Sequence, residues 1–107
     1  MSKRQEIQIG IIGVGMIGLE HIRGFRVIPR CKVAAIADSN ESQLAKAAAE
    51  YAIPQTFTNY KDLLALEEID GVVICVPSFA HEEIALAALA AGKHVLCEKP
   101  MTTSAAS

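Results

Sequence analysis

Short apolar runs alternate with amphipathic stretches along the chain. Ile7 to Ile12 is an apolar run that ends at a glycine, which predicts a buried strand. Met16 to Val27 places apolar residues at helical spacing and stops before an Ile-Pro step, which predicts a helix. Lys32 to Ala37 is again apolar and predicts a second buried strand. The chain therefore opens as strand, helix, strand.

The same alternation continues through the middle of the chain. Asn40, with Gln43 three residues later, is typical of a capped helix start, and the helix is predicted to run to about Tyr51. A proline follows, and the next short run, Gln55 to Thr58, predicts a third strand.

Asn59 and Asp62 indicate another helix start, which leads into a leucine-rich stretch. Gly71 then opens a strongly apolar strand, predicted over Val72 to Val76 and ended by Pro77. These signals add a third helix and a fourth strand.

A long alanine-rich stretch predicts the last helix. Ser78 is expected to cap it, with Glu82 and Glu83 in the first turn where they favour the helix dipole. Gly92 is expected to end it in the C′ position. His94 to Cys97 predicts a fifth strand.

The predicted order is β-α-β-α-β-α-β-α-β. Strands that alternate with helices of about 10–15 residues imply parallel pairing. Strands that are apolar on both faces imply a sheet covered by helices on each side. The sequence therefore predicts an α/β fold with a doubly wound parallel sheet, a Rossmann fold, as one domain over residues 1–107.

Composition narrows the classes of function. Hydrophobic residues make up 51% of the chain and charged residues 21%, which is typical of a globular domain and excludes a disordered chain. The formal net charge of −2 offers no basic surface for nucleic acid or an anionic membrane, so neither partner is expected. No apolar run reaches the roughly 18 residues of a membrane span.

Cysteine usage and the N-terminus indicate the compartment. Cys31, Cys75 and Cys97 have neither paired nor metal-like spacing, so we expect structural thiols in a reducing compartment and no metal site. Lys3 and Arg4 precede an apolar stretch as in a signal peptide, but four glycines interrupt that stretch and no small-residue cleavage site follows. A cytoplasmic location is expected.

The most informative local motif is a G-x-G-x-x-G over residues 13–18. It follows a predicted strand directly and opens a predicted helix, which is the context in which the motif binds a dinucleotide. Its first glycine permits a tight turn, its second lets a pyrophosphate approach the backbone, and its third lets the helix pack close to the strand. The N–H groups of the first helical turn then face the phosphates. The expected cofactor contacts are Gly13, Gly15, Met16, Ile17 and Gly18; the alternative is a purely structural glycine-rich turn.

Asp38 ends the second predicted strand, twenty positions after Gly18, where such folds place an acidic residue on the adenosine ribose. Its carboxylate would repel a 2′-phosphate by about 4 kcal/mol at ~4 Å and an effective dielectric near 20. Ser39 and Asn40 follow, and neither offers a compensating positive charge. NAD is therefore favoured over NADP. The alternative role for Asp38 is a helix N-cap, and the two roles are compatible.

The ends of the last two predicted strands carry a second group of polar residues. In a doubly wound sheet, ligands lie outside the carboxyl ends of the strands near the switch point. Pro77 to His81 follows one of these strands, and Glu98, Lys99 and Pro100 follow the other. Together with the glycine turn, the acidic end of the second strand and the run GKHVLCEKP, this pattern resembles the N-terminal domain of the glucose–fructose oxidoreductase / inositol dehydrogenase / MocA (Gfo/Idh/MocA) family. The resemblance covers essentially all 107 residues.

The resemblance implies roles for these residues. Lys99 is the implied catalytic residue beside the nicotinamide, where an ammonium stabilises charge that develops on the substrate oxygen. Glu98 would contact the nicotinamide ribose, and Pro77 and His81 would lie on the nicotinamide side of the cleft. The Lys99–Pro100 bond is a candidate cis peptide. The alternatives are a solvated surface lysine for Lys99 and a cap or surface role for His81.

The resemblance also implies a dehydrogenase that transfers a hydride between NAD and a sugar, polyol or related hydroxyl or carbonyl substrate. Family members carry a second domain with the acid/base, so we expect this chain to be a fragment that ends before the last strand and binds cofactor without turnover. A homo-oligomer is expected, since an exposed sheet edge and apolar helix faces favour self-association. The alternative function is a non-catalytic NAD(H)-sensing or regulatory module, which Lys99 disfavours.

Overall fold

The structure is a computed structural model, which describes residues 6–76 and 78–97, with the backbone alone for Ser78, Phe79 and Cys97. Five strands and four helices alternate in this part of the chain, in the order that the sequence predicts. The elements are β1 (Ile7–Ile12), α1 (Met16–Arg26), β2 (Cys31–Ala37), α2 (Glu41–Tyr51), β3 (Gln55–Phe57), α3 (Tyr60–Leu64), β4 (Gly71–Ile74), α4 (Ser78–Ala90) and β5 (His94–Cys97).

The strands form one sheet in the order β3-β2-β1-β4-β5, and all four pairings are parallel. From β1 the chain winds outward through β2 to β3, then returns to the other side of β1 and continues through β4 to β5. The strand order thus reverses between β1 and β4, which is the switch point of a doubly wound sheet. The fold class predicted from the sequence is confirmed.

Helices cover both faces of the sheet, which is why its strands are apolar on both sides. On one face, side chains from β1 and β2 pack with α1 and α2, and Ile11, Ile22, Ile36 and Leu44 are at the centre of this cluster. On the other face, α3 and α4 pack on β1, β2 and β4 through a second cluster, which includes Leu63, Ile74, Ile84 and Ala88. The two clusters therefore pack the sheet between two layers of helices.

Three helix ends follow the signals read in the sequence. The Asn40 side chain accepts a hydrogen bond from the Gln43 N–H at 3.0 Å and caps α2, and the Asn59 side chain caps α3 in the same manner. Gly92 has φ +81° after α4, and its N–H donates to Leu89 O at 3.0 Å. This C-terminal turn is the geometry that favours glycine at C′.

The start of α4 differs from the prediction. Ser78 is the first residue of the helix rather than its cap, so Glu82 and Glu83 lie beyond the first turn. A serine before a helical stretch marks a helix start only to within a residue or two, because serine is also accepted inside the first turn. The other boundaries agree with the predicted ones to within two residues.

Lys93 is a buried charge that the sequence does not indicate. Only 8% of its surface is exposed, and its ammonium donates to the carbonyl oxygens of Leu66 and Ile69, at 2.9 Å for the second. Hydrogen bonds from a charged donor are stronger than neutral ones, and they satisfy the ammonium in place of water. Lys93 therefore fastens the start of β5 to the turn between α3 and β4.

Among residues 6–76 and 78–97, no helix is both long enough and apolar enough to cross a membrane.

Candidate functional site

The ends of β1 and β4 meet at the point where the strand order reverses. The chain leaves β1 through the glycine turn and leaves β4 at Cys75. The Cys75 N–H donates to Ile12 O at 2.8 Å, which holds the end of β4 beside the end of β1. A ligand that lies outside the carboxyl edge would contact both strand ends here.

Two glycines of the turn lie so close to neighbouring backbone atoms that a side chain would collide with them. Gly13 has φ +98°, a left-handed conformation that favours glycine, and a Cβ there would lie 2.5 Å from Cys75 O. A Cβ on Gly18 would lie 2.0 Å from Gly13 O, so α1 starts in direct contact with the turn. The fold itself therefore requires glycine at positions 13 and 18, whether or not a ligand is bound.

Gly15 is different, because a Cβ at this position would meet no atom of the protein within 4 Å. It precedes α1 in an extended conformation (φ −73°, ψ −160°) that any residue adopts, and no side chain caps this helix end. The start of α1 therefore has no side-chain cap, and the Gly15 backbone is open on the side where a Cβ would lie. Such a cradle is suited to the oxygens of a pyrophosphate.

Asp38 follows β2 and is fixed by backbone donors on both carboxylate oxygens. Its Oδ2 accepts from the Val14 N–H at 2.8 Å, and its Oδ1 accepts from the Asn40 N–H at 2.8 Å. The cap of α2 is Asn40, so Asp38 is not the N-cap of this helix. Two of about four acceptor positions remain on the carboxylate for another donor. Asp38 thus joins the glycine turn to the start of α2 and still has acceptors to offer.

A cavity of about 760 Å³ extends along the carboxyl edge from the glycine turn. Its lining includes Gly13, Gly15 and Asp38, together with Tyr60 from α3 and Ala80 and Ile84 from α4. Its volume lies within the range of about 300–1,000 Å³ that is usual for small-molecule sites. The rest of its lining is Ile12, Ala37, Ser39, Gln43, Thr58, Asn59, Cys75 and Val76.

The remaining predicted site residues in the described part of the chain lie nearby but outside this cavity. Met16 is 77% exposed and Ile17 is 44% exposed on the first turn of α1. Met16 lines an adjoining groove between α1 and α2 that shares Gly15 and Gln43 with the cavity. His81 is half-buried on α4, and the cavity lining includes Ala80 and Ile84 but not His81.

Four predicted positions lie outside the described residues. These are Pro77, Glu98, Lys99 and Pro100, which follow β4 and β5. The implied catalytic role of Lys99 and the candidate cis peptide therefore stay predictions. Within residues 6–76 and 78–97, no three His, Cys, Asp or Glu side chains are grouped so that they could hold a metal ion.

One wall of the cavity is not indicated by the sequence. The Tyr60 hydroxyl donates to Glu83 Oε2 at 3.2 Å and joins α3 to α4. The sequence marks Asn59 only as a helix cap, and nothing in the spacing of Tyr60 and Glu83, 23 residues apart, indicates that they meet. The predicted strand order could have indicated this wall, because the end of β3 lies at the same sheet edge as the glycine turn.

Comparisons with known proteins agree with this geometry. A family model, GFO_IDH_MocA, described as "Oxidoreductase family, NAD-binding Rossmann fold", matches residues 7–107. The chain is 41% identical over 101 residues to the inositol 2-dehydrogenase/D-chiro-inositol 3-dehydrogenase of Shouchella clausii. That match covers 92% of this chain and 29% of the relative, so the chain spans less than a third of that relative's length.

Two solved structures show both cofactor types among similar folds. Scyllo-inositol dehydrogenase from Lactobacillus casei, with bound NAD(H) and scyllo-inositol, superposes with a TM-score of 0.83 at 34% identity, over 89% of this chain and 28% of that one. A 3-ketoreductase from Actinomadura kijaniata, in complex with TDP-benzene and NADP, has a TM-score of 0.82 at 30% identity, over 92% of this chain and 31% of that one.

Proposed function

Since the chain belongs to the Gfo/Idh/MocA oxidoreductase family with the NAD-binding Rossmann fold, we propose that it is the cofactor-binding part of an NAD-dependent dehydrogenase. The bound nicotinamide would accept or donate a hydride. The residues of this chain would bind and orient the dinucleotide so that its reactive end faces the substrate. The observation that carries this proposal is the open space in front of Gly15 beside the fixed Asp38 carboxylate.

The fit of a dinucleotide follows from the two ends of the site. The bare backbone at Gly15 and the N–H groups of α1 suit a pyrophosphate, which carries negative charge and approaches closely. The unused acceptor positions of Asp38 suit the hydroxyls of the adenosine ribose. A 2′-phosphate at the same place would meet the carboxylate charge, so we propose NAD rather than NADP. Because similar folds bind either cofactor, the preference rests on Asp38 and not on the family.

The substrate and the chemistry are proposals for the whole protein. The relatives named above include inositol dehydrogenases, which supports a polyol, a sugar or a related hydroxyl or carbonyl compound as the substrate class. We propose Lys99 as the residue that polarises the substrate oxygen, with Glu98, Pro77 and His81 on the nicotinamide side. We expect negligible turnover by the 107-residue chain alone and a cytoplasmic location. We also expect a homo-oligomer, which sedimentation velocity would detect.

Gly15→Val tests the proposed cradle. An added Cβ has no protein neighbour within 4 Å and the backbone is extended there, so we expect the fold to be unchanged. The valine would fill the space of the pyrophosphate, and we expect the NADH affinity to fall by at least about tenfold, which is about 1.4 kcal/mol. Calorimetric titration with NADH measures this loss, and circular dichroism verifies the fold.

Gly24→Val is the matched control. Gly24 lies within α1, the helix that Gly15 precedes; it is exposed and would also have no protein atom within 4 Å of an added Cβ. Its substitution should leave the NADH affinity unchanged. Equal NADH affinity in the wild type and Gly15→Val would contradict a pyrophosphate at this backbone.

A further inference from the structure

Part of the cavity wall combines aromatic and aliphatic side chains. Tyr60 begins α3 and is half-buried, while Ala80 and Ile84 are one turn apart on α4. Ile84 is 5% exposed and belongs to the core, so this wall is fixed. An aromatic ring, a methyl group and a branched aliphatic side chain together line a space suited to a flat apolar ligand group.

The position of the Tyr60 ring is set by two separate interactions. Asn59 caps α3 by accepting from the Lys61 N–H at 2.9 Å, which fixes the backbone on either side of Tyr60. The Tyr60 hydroxyl donates to Glu83 Oε2 at 3.2 Å, which fixes the outer end of the ring against α4. The Tyr60–Glu83 hydrogen bond therefore links α3 to α4 beside the cavity.

The hydroxyl remains a donor over the whole physiological pH range. Partial burial raises the pKa of Tyr60 above its ordinary value, and the charge of the Glu83 carboxylate and the hydrogen bond to it raise this pKa further. The ionised state would place two negative charges together, so the neutral phenol is favoured.

We propose that the Tyr60–Glu83 pair is an affinity determinant for the purine base of the dinucleotide, with the Tyr60 ring in contact with the base and Glu83 as the residue that positions the ring. The inference rests on the proposed function, which places the pyrophosphate at Gly15 and the ribose at Asp38. The part of the same cavity that Tyr60, Ala80 and Ile84 line is then left for the base. An aromatic side chain is suited to this role because every base offers a π-face.

Two ligands distinguish a contact between Tyr60 and the base from a purely structural role of Tyr60. NADH contains the purine, whereas reduced nicotinamide mononucleotide lacks the whole adenosine half. Tyr60→Ala should weaken NADH binding by about tenfold to a hundredfold, the usual loss for removing an aromatic side chain under a base. It should leave the affinity for reduced nicotinamide mononucleotide unchanged. A Tyr60 that serves only the fold would change both affinities together or neither.

The role of Glu83 is tested on the same ligands. Glu83→Ala removes the acceptor and should weaken NADH binding by about threefold to fivefold, whereas Glu83→Gln keeps an acceptor and should restore most of the affinity. Glu82→Ala is the matched control, because Glu82 is the adjacent exposed carboxylate on α4 and does not contact Tyr60 in the described structure. Its NADH affinity should equal that of the wild type.

A spectroscopic measurement covers the case in which Tyr60→Ala does not fold. The chain contains two tyrosines and no tryptophan, so in Tyr51→Phe the tyrosine fluorescence comes from Tyr60 alone. ADP-ribose, which carries the base and the pyrophosphate, should quench this emission on binding. ADP-ribose that binds without changing the emission of Tyr60 would overturn the proposal. The proposal would also be overturned if the wild type binds NADH and both Tyr60→Ala and Glu83→Ala bind it with the same affinity. That result would leave the proposed function intact. A folded wild type that binds no NADH would overturn both.

Discussion

Gly18→Ala should destabilise the protein by about 3 kcal/mol or more, the upper end of the cost of overpacking. A Cβ on Gly18 would lie 2.0 Å from Gly13 O and 2.9 Å from Gly13 C. These are backbone atoms of the turn, so no flexible side chain can move away to relieve the contact. The helix would have to separate from β1, which would also expose Ile11 and Ile22 of the core. Chemical denaturation followed by circular dichroism measures the loss.

Gly24→Ala is the control for this substitution, because it makes the same chemical change on the same helix. A Cβ on Gly24 would have no neighbour within 4 Å. Alanine is favoured over glycine in a helix by about 0.5–1 kcal/mol, so this variant should be more stable than the wild type. Opposite signs for the two variants identify close packing of the turn as the cause. Equal stability of Gly18→Ala and the wild type would show that α1 does not contact Gly13 as described.

Asp38→Asn should remove most of the discrimination between NADH and NADPH. The substitution keeps the shape of the side chain and one carbonyl oxygen but removes the charge that opposes a 2′-phosphate, a repulsion of about 4 kcal/mol at ~4 Å. We expect NADH to bind about tenfold more weakly and NADPH more tightly, so that their affinity ratio falls by about a hundredfold or more. Calorimetric titrations with both cofactors give the ratio directly.

Two features of Asp38 decide how this result is interpreted. The carboxylate accepts from the N–H groups of Val14 and Asn40, and an amide can accept from only one of them. A loss of about 1–2 kcal/mol of stability is therefore expected and is measured separately. Glu41→Gln removes an exposed charge three positions away and should leave the cofactor ratio unchanged. An unchanged ratio in Asp38→Asn would contradict the role of Asp38 in cofactor choice.

The fold can be predicted from the sequence because its signals are local. Each apolar run is flanked by a cap or a glycine close to it in sequence, as with Asn40 before α2 and Gly92 after α4. The glycine turn is recognisable because its three glycines lie within six residues, directly between a predicted strand and a predicted helix. The same local reasoning fails at the start of α4, where Ser78 lies inside the helix instead of before it.

The interactions that the sequence does not reveal join distant segments. Lysine is usually exposed, yet Lys93 is buried because two carbonyl oxygens, 27 and 24 residues earlier, accept hydrogen bonds from its ammonium group. Tyr60 and Glu83 meet only because α3 and α4 pack on the same face of the sheet. The sequence offers the ribose or the helix cap as the partner of Asp38, whereas in the structure Asn40 is the cap and Asp38 holds the glycine turn through the Val14 N–H. Spacing along the chain carries no information on such pairs.

The most direct test of the proposed cofactor site is calorimetric titration of the purified protein with NADH and NADPH, after circular dichroism has shown that it is folded. We predict that NADH binds with one site per chain and at least about a hundredfold more tightly than NADPH, since the Asp38 carboxylate repels the 2′-phosphate. A folded protein that binds NADPH as tightly as NADH, or that binds neither, would contradict this prediction.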